Sequence, residues 1–138
     1  MSSSRSDLVV YRPIGTVVGA IRDPLRPELI RGTVSQLVLE PSLTPAVAAL
    51  AVGEHLLVVY HLHRSEPWAV RNAGELFTRR MASRPNPVGV TLVRVVATEG
   101  STITVKGLDA IHGSPILDIK PYRPVFDAPP VEPSAADT

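Results

Sequence analysis

Apolar and polar positions alternate along most of the chain in short runs, the two-residue period of strands that bury one face. The runs Leu8–Tyr11 and Ile14–Ile21, separated by Arg12-Pro13, predict the first strands, and Val34–Leu39 predicts another. Between them 22–32 (RDPLRPELIRG) carries two prolines and mixed charge, so a loop is expected. Thr44-Pro45 opens the one helix signal: Thr44 is the expected N-cap, Ala46–Leu50 the body, and Gly53 a left-handed cap near its end. In His55–His63 (HLLVVYHLH) Leu56, Val58, Tyr60 and Leu62 share one core-like face, and His55, Leu57, Val59, His61 and His63 the other.

Residues 64–87 follow as a long Arg/Pro-containing connection, with an ordered piece expected around Ala73–Thr78; loops of this length in a compact domain are usually functional. Val88–Ala97 and Ser101–Gly107 read as a hairpin across Thr98-Glu99-Gly100. The first arm is apolar on both faces (Val90, Leu92, Val96 against Val93, Val95, Ala97), as in a central barrel strand or a subunit contact. Pro115–Ile119, after the turn at His112-Gly113, is the last strand. Six or seven short strands and one short helix make the expected fold all-β, a small and mostly antiparallel barrel.

Composition sharpens this picture. At 138 residues the chain suits one domain, expected over 8–126, with 1–7 a disordered lead-in and 127–138 an acidic Pro/Ala-rich tail. Apolar residues at 44% suffice for a core, but aromatics at 4% leave that core to Val, Leu, Ile and Ala. Fourteen prolines argue against long helices. Cysteine is absent, which excludes disulfides, thiolate metal sites and cysteine nucleophiles. No apolar run has the length of a membrane span and the polar start holds no apolar leader segment, so a cytoplasmic protein is the expectation. The net charge of +1 says little, but five arginines (64, 71, 79, 80 and 84) face only Glu66 and Glu75 across the long connection. Such an excess either holds phosphate or forms a solvated loop.

Six segments in order carry a resemblance. Arg84-Pro85-Asn86-Pro87-Val88-Gly89 and Leu117-Asp118-Ile119-Lys120-Pro121-Tyr122 look like two signatures of the TsaA-like (TrmO) family. Gly107-Leu108-Asp109-Ala110, Ile14-Gly15, Glu54-His55-Leu56 and His63-Arg64 resemble its other segments, so that the likeness spans roughly 8–127. The resemblance implies a β-barrel methyltransferase that uses S-adenosyl-L-methionine, works as a homodimer, and methylates N6 of a threonylcarbamoyl-modified adenosine in tRNA. It implies cofactor contacts at His63, Arg64, Arg80, Val90, Gly107, Leu108, Asp109 and Ala110, with the loop Pro27–Arg31 in the same site. Departures from the family pattern are Thr78-Arg79-Arg80-Met81-Ala82 ahead of the first signature, of which only Arg80 matches, and His112-Gly113 in place of an Asp-Gly pair. Leu57 and His61 replace bulky aromatics, the connection after His63 is short, and the additional C-terminal domain of some bacterial members is expected to be missing. They bear on the acceptor more than on the cofactor, so a small-molecule acceptor, or a non-catalytic module binding the cofactor or RNA, stands as the alternative.

The chemistry asks for an in-line arrangement of nucleophile, methyl carbon and sulfur, and positioning supplies much of the rate. A urea-like N6 needs its proton shared or removed, a task for a carboxylate or histidine. Asp118, Lys120 and Tyr122 alternate along an extended segment, so they share one face and form the candidate catalytic row, or else a solvated edge. Asp109 suits a ribose or an amine, or simply forms a turn. Arg84, Asn86 and Trp68 are the candidate substrate contacts: a fixed cation, a pinned amide and a stacking surface, the last equally suited to anchoring the loop from inside. His61 and His63, with His112, could in principle ligate a metal, but strand histidines this close are more often ordinary polar-face residues, and no metal is expected.

Overall fold

A computed structural model describes residues 7–23 and 27–131; the outermost parts of the expected lead-in and tail, 1–6 and 132–138, lie outside the described residues. Six strands form a closed antiparallel barrel: β1 (Gly15–Gly19), β2 (Val34–Leu39), β3 (His55–His61), β4 (Val88–Glu99), β5 (Thr102–Lys106) and β6 (Pro115–Pro121), hydrogen-bonded in the order β1-β2-β5-β4-β3-β6. Alternation does what the sequence implied. Val17, Leu37, Val58, Val95, Val105 and Ile116 point inward with no exposed surface, and Leu56, Tyr60, Val93 and Ile103 complete the layers. Burying a Val, Leu or Ile side chain is worth about 1.5–3 kcal/mol, so this interior is the main source of stability.

Several expectations are corrected. Leu8–Tyr11 is not a strand: the segment is irregular and Leu8 and Val10 are more than four-fifths exposed. Closure explains this, because a barrel has no free edge to which an extra strand can add. Among the described residues three short helices occur rather than one: α1 (Pro27–Ile30), inside the expected loop, α2 (Thr44–Ala48) and α3 (Pro124–Asp127). Thr44 does not cap α2. A 3-10 turn at Pro41–Leu43 runs into the helix, so Leu43 is the cap residue and the Thr44 hydroxyl donates to the Pro41 carbonyl at 2.7 Å. Gly53 is left-handed (φ 97°) but serves the turn into β3, where its N–H donates to the Val95 carbonyl.

The hairpin turn is Gly100-Ser101, with Glu99 opposite Thr102. Gly100 alone has positive φ, the signature of a type II′ turn. The two apolar faces of β4 are not both buried. Val93 and Val95 are inside, whereas Val90 and Leu92 are 41% and 47% exposed on the outer wall. A bulge between Val95 and Ala97 then inserts Val96 and reverses the alternation. Between β3 and β4 the chain runs without strands; its one ordered piece is a 3-10 turn at Val70–Glu75, slightly earlier than expected. Among the described residues no helix is long and apolar enough to cross a membrane.

Candidate functional site

The barrel end at which β3 stops and β4 begins opens into a cleft of about 790 Å³. Its floor is Tyr60, the last inward residue of β3. Gly89 opposite lets the ring lie flat, because a Cβ there would stand 2.8 Å from two ring atoms. The Tyr60 hydroxyl donates to the Asp109 carbonyl and lies 3.0 Å from the Thr91 hydroxyl. Its single proton is committed to the carbonyl, so Thr91 donates to it. Burial raises the phenol pKa above its ordinary value, so the group stays a donor.

This bond fixes the segment Gly107–Ala110 against the sheet. Gly107 turns at φ 95°, its N–H on the Thr33 carbonyl. Leu108 and Ala110 then point into the core, and Asp109 between them faces the cleft. Gly107 and Leu108 thus shape the wall from behind without lining it. Partial burial raises the Asp109 carboxyl above the usual aspartate value, opposed by the positive charge of Arg80. The Arg80 guanidinium is held at the mouth by a 2.9 Å bond to the Val90 carbonyl on β4.

His63 also lines the cleft, resting on Ser114. The Ser114 hydroxyl donates to the Ile111 carbonyl at 2.6 Å and lies 3.3 Å from His63 Nδ1. A hydroxyl has one proton, so Ser114 can only accept from Nδ1–H, which leaves Nε2 as the lone-pair nitrogen. Partial burial, with Arg64 and His61 nearby, lowers the His63 pKa, which keeps the ring neutral. Arg64 donates to the Arg22 carbonyl and pairs with Asp23 at 3.3 Å, tying the loop after β1 to the cleft.

Of the expected cofactor residues, His63, Arg64, Arg80, Val90, Asp109 and Ala110 converge on this one cleft. A second, shallower depression of about 480 Å³ adjoins it, with Leu62, His63, Ser65 and Arg84 common to both. Trp68 lines the second depression half-buried, its indole Nε1 withdrawn from solvent without a partner. The chain order of these walls matches a known architecture. The family model for the tRNA-methyltransferase O N-terminal domain covers residues 19–128. The chain belongs to this family.

A probable S-adenosyl-L-methionine-binding protein of Pyrococcus abyssi is 31% identical over 134 residues, covering 87% of this chain and 71% of the relative. The human tRNA (adenine(37)-N6)-methyltransferase is 46% identical over 54 residues, 39% of this chain and 12% of that protein. The crystal structure of TrmO from Pseudomonas aeruginosa superposes with a TM-score of 0.75 at 28% identity over 95% of this chain, and a further TrmO crystal structure with 0.76 at 27% over 93%. The chain spans 64% and 61% of those two solved chains.

Other family-signature residues stand elsewhere. Asp118, Lys120 and Tyr122 alternate on one face as expected, but the face is the outer wall: Asp118 lies opposite Val59 and Lys120 opposite Leu57. Asp118 and Lys120 pair at 2.9 Å, and this bond raises the ammonium pKa. Asn86 is exposed outside both depressions, its carbonyl accepting from the Val88 N–H. His112 is occupied structurally, its Nδ1 accepting from the Gly19 N–H at 3.3 Å. Among the described residues no three His, Asp or Glu side chains gather as metal ligands. The sequence reading gave no role in the site to Tyr60, Gly89, Thr91 or Ser114. Only Gly89 carried a signal, as the glycine that closes the first signature.

Proposed function

We propose that this protein is an S-adenosyl-L-methionine-dependent methyltransferase that modifies N6 of threonylcarbamoyl-modified adenosine in tRNA. The observation that carries the proposal is the convergence of three stretches distant in sequence, His63-Arg64, Arg80 and Asp109-Ala110, on a single cleft. The cleft lies within the roughly 300–1,000 Å³ of small-molecule sites. Its donor set suits a cationic nucleoside: Asp109 for an amine or ribose hydroxyls, Arg80 for a carboxylate, and His63 Nε2 as an acceptor for an amino group. The bound cofactor supplies an electrophilic methyl on a sulfonium sulfur. The residues of the chain bind and orient, Tyr60 and Thr91 fixing the Asp109 segment and Ser114 fixing the His63 ring.

The acceptor is assigned to the adjoining depression, where Trp68 lies beside an arginine-rich connection suited to an RNA backbone. Asn86, exposed on the same loop, is a further proposed contact to the RNA. The apolar outer row Leu57, Val59, Val90 and Leu92 supports a homodimer, and the proposed workplace is the cytoplasm. Asp118, Lys120 and Tyr122 flank that row, so their proposed part in catalysis is played across the dimer interface.

Calorimetry with S-adenosyl-L-methionine tests the cofactor, and methyl transfer to tRNA from cells lacking this modification tests the reaction. A folded sample that binds no cofactor rejects the proposal. Cofactor binding with no transfer to tRNA moves the protein to a small-molecule acceptor or a non-catalytic module. Weak tRNA binding that ignores salt counts against an RNA acceptor.

A further inference from the structure

The connection between β3 and β4 forms the mouth of the cleft, yet it has almost no packing of its own. Between residues 62 and 87 only Leu76 is buried among the described side chains. A segment so poor in apolar contacts has to be shaped by directional bonds. Its local bonds are few: the N–H groups of Thr78 and Arg79 donate to the Glu75 carbonyl, and the Arg79 guanidinium meets the Glu75 carboxylate at 2.9 Å.

The Leu76 N–H also donates to the Ala73 carbonyl and the Ser83 hydroxyl to the Pro67 carbonyl at 3.1 Å, and Arg84 adds three bonds more. One terminal nitrogen of its guanidinium donates to the Leu76 carbonyl at 2.8 Å, and the other to those of Met81 at 3.2 Å and Arg79 at 3.4 Å. These carbonyls bracket Arg80. The clamp is anchored in turn, because Arg84 is followed by Pro85-Asn86-Pro87, two fixed φ angles that lead directly into β4. Arg80 closes the circuit on the Val90 carbonyl of the same strand.

We infer that Arg84 is a positioning residue: its guanidinium gathers the carbonyls of Leu76, Arg79 and Met81 and thereby presents Arg80 to the cleft beside Asp109. The cation that the sequence offers as an anion contact is turned onto its own loop. A planar fork with several donors is the side chain that can span three carbonyls at once; a lysine ammonium cannot reproduce that geometry. The functional half of the inference rests on the proposed cofactor site, whereas the clamp itself does not.

A double-mutant cycle separates this role from direct contact. Cofactor affinity is measured by calorimetry for Arg84→Ala, Arg80→Ala and the double variant, with Arg84→Lys as the charge-retaining control. Arg84→Ala is expected to weaken binding about tenfold, Arg84→Lys nearly as much, and Arg84→Ala less than about twofold once Arg80 is already alanine. Losses that multiply in the double variant, or full rescue by lysine, would overturn the positioning role in favour of a direct charge contact. Hydrogen exchange of the amides of 76–81 in the free protein tests the clamp without any ligand. Arg84→Ala should accelerate it at least tenfold with the barrel amides unchanged, and unchanged exchange in 76–81 refutes the clamp whatever the cofactor does.

Discussion

The barrel wall and the 62–87 connection solve the problem of holding a shape in opposite ways. In the wall, aliphatic side chains of six strands are sealed inside and the backbone pairs with itself, so position follows from burial. In the connection one buried leucine and a set of arginine-to-carbonyl bonds do the same work with far less area. Stability and binding should therefore separate along the chain: substitutions inside the barrel are expected to cost stability, and substitutions at the cleft to change affinity. The segment Gly107–Ala110 belongs to both, with Leu108 in the core and Asp109 in the cleft.

The largest expected effect tests the wall. Ile116 has no exposed surface and packs in the central cluster, so Ile116→Ala should cost about 2–5 kcal/mol through lost burial and a residual cavity. Thermal or urea unfolding measures it, and a loss below about 1 kcal/mol would mean that the interior re-packs more freely than a closed barrel should. Asp109→Asn tests the hybrid segment. Removing the carboxylate should weaken cofactor binding by about 1.5–3 kcal/mol, roughly 10- to 150-fold, if it meets a charged or hydroxylated partner. Stability should move the other way. The folded pKa is raised, so the folded state binds more protons than the unfolded chain between the ordinary aspartate value and the raised one, and stability falls as pH rises through that window. The neutral amide removes this cost, so the melting temperature at pH 7 should rise slightly. A variant that loses both affinity and stability would show that Asp109 is structural.

A smaller effect concerns His63. Its pKa lies below the ordinary histidine value, so the ring presents the Nε2 lone pair at neutral pH and loses it only as the pH falls below about 6.5. Cofactor affinity should be flat from pH 7 to 8 and drop several-fold toward pH 5. Protonation of Asp109 adds to the drop at the acid end, and burial, Arg64 and His61 oppose charging of the ring. His63→Gln keeps an acceptor without the titration, so the part of the drop that comes from the ring should disappear and only the Asp109 contribution at the acid end should remain. An unchanged slope in calorimetric titrations would place the titrating group elsewhere.

The same contrast explains what could be read in the sequence. Strands β2 to β6 follow from period-two alternation because burial inside a barrel is a repeated, local pattern. Leu8–Tyr11, a continuous apolar run, reads as a strand too and is not one, because whether a strand finds a partner depends on closure, which no local pattern records. The bulge after Val95 was invisible for a similar reason: one inserted residue, Val96, reverses the faces without altering composition. At the cleft, the family-like segments pointed to Arg80, Asp109 and His63, which the fold brings together. Their supports are Thr91, Ser114 and the Arg84 carbonyl bonds, contacts that only the folded chain creates. Arg84 was legible as a cation, but not the direction in which its guanidinium points.

The smallest effect tests the outer wall. Lys120 and Asp118 form a pair at 2.9 Å with both side chains roughly half exposed or more, and a pair of this kind generally contributes little because water competes for both charges. Lys120→Ala should therefore leave the unfolding midpoint nearly unchanged, and cofactor affinity equal to that of the parent, because Lys120 does not line the cleft. The informative quantity is turnover. If the Asp118–Lys120–Tyr122 row acts across a dimer interface, methyl transfer falls while cofactor affinity holds, and mixing the variant with an Arg80→Ala chain restores part of the activity by pairing one intact cleft with one intact row. Turnover that stays at the parental level would instead leave β6 with the same task as the rest of the wall, which is to keep the barrel closed.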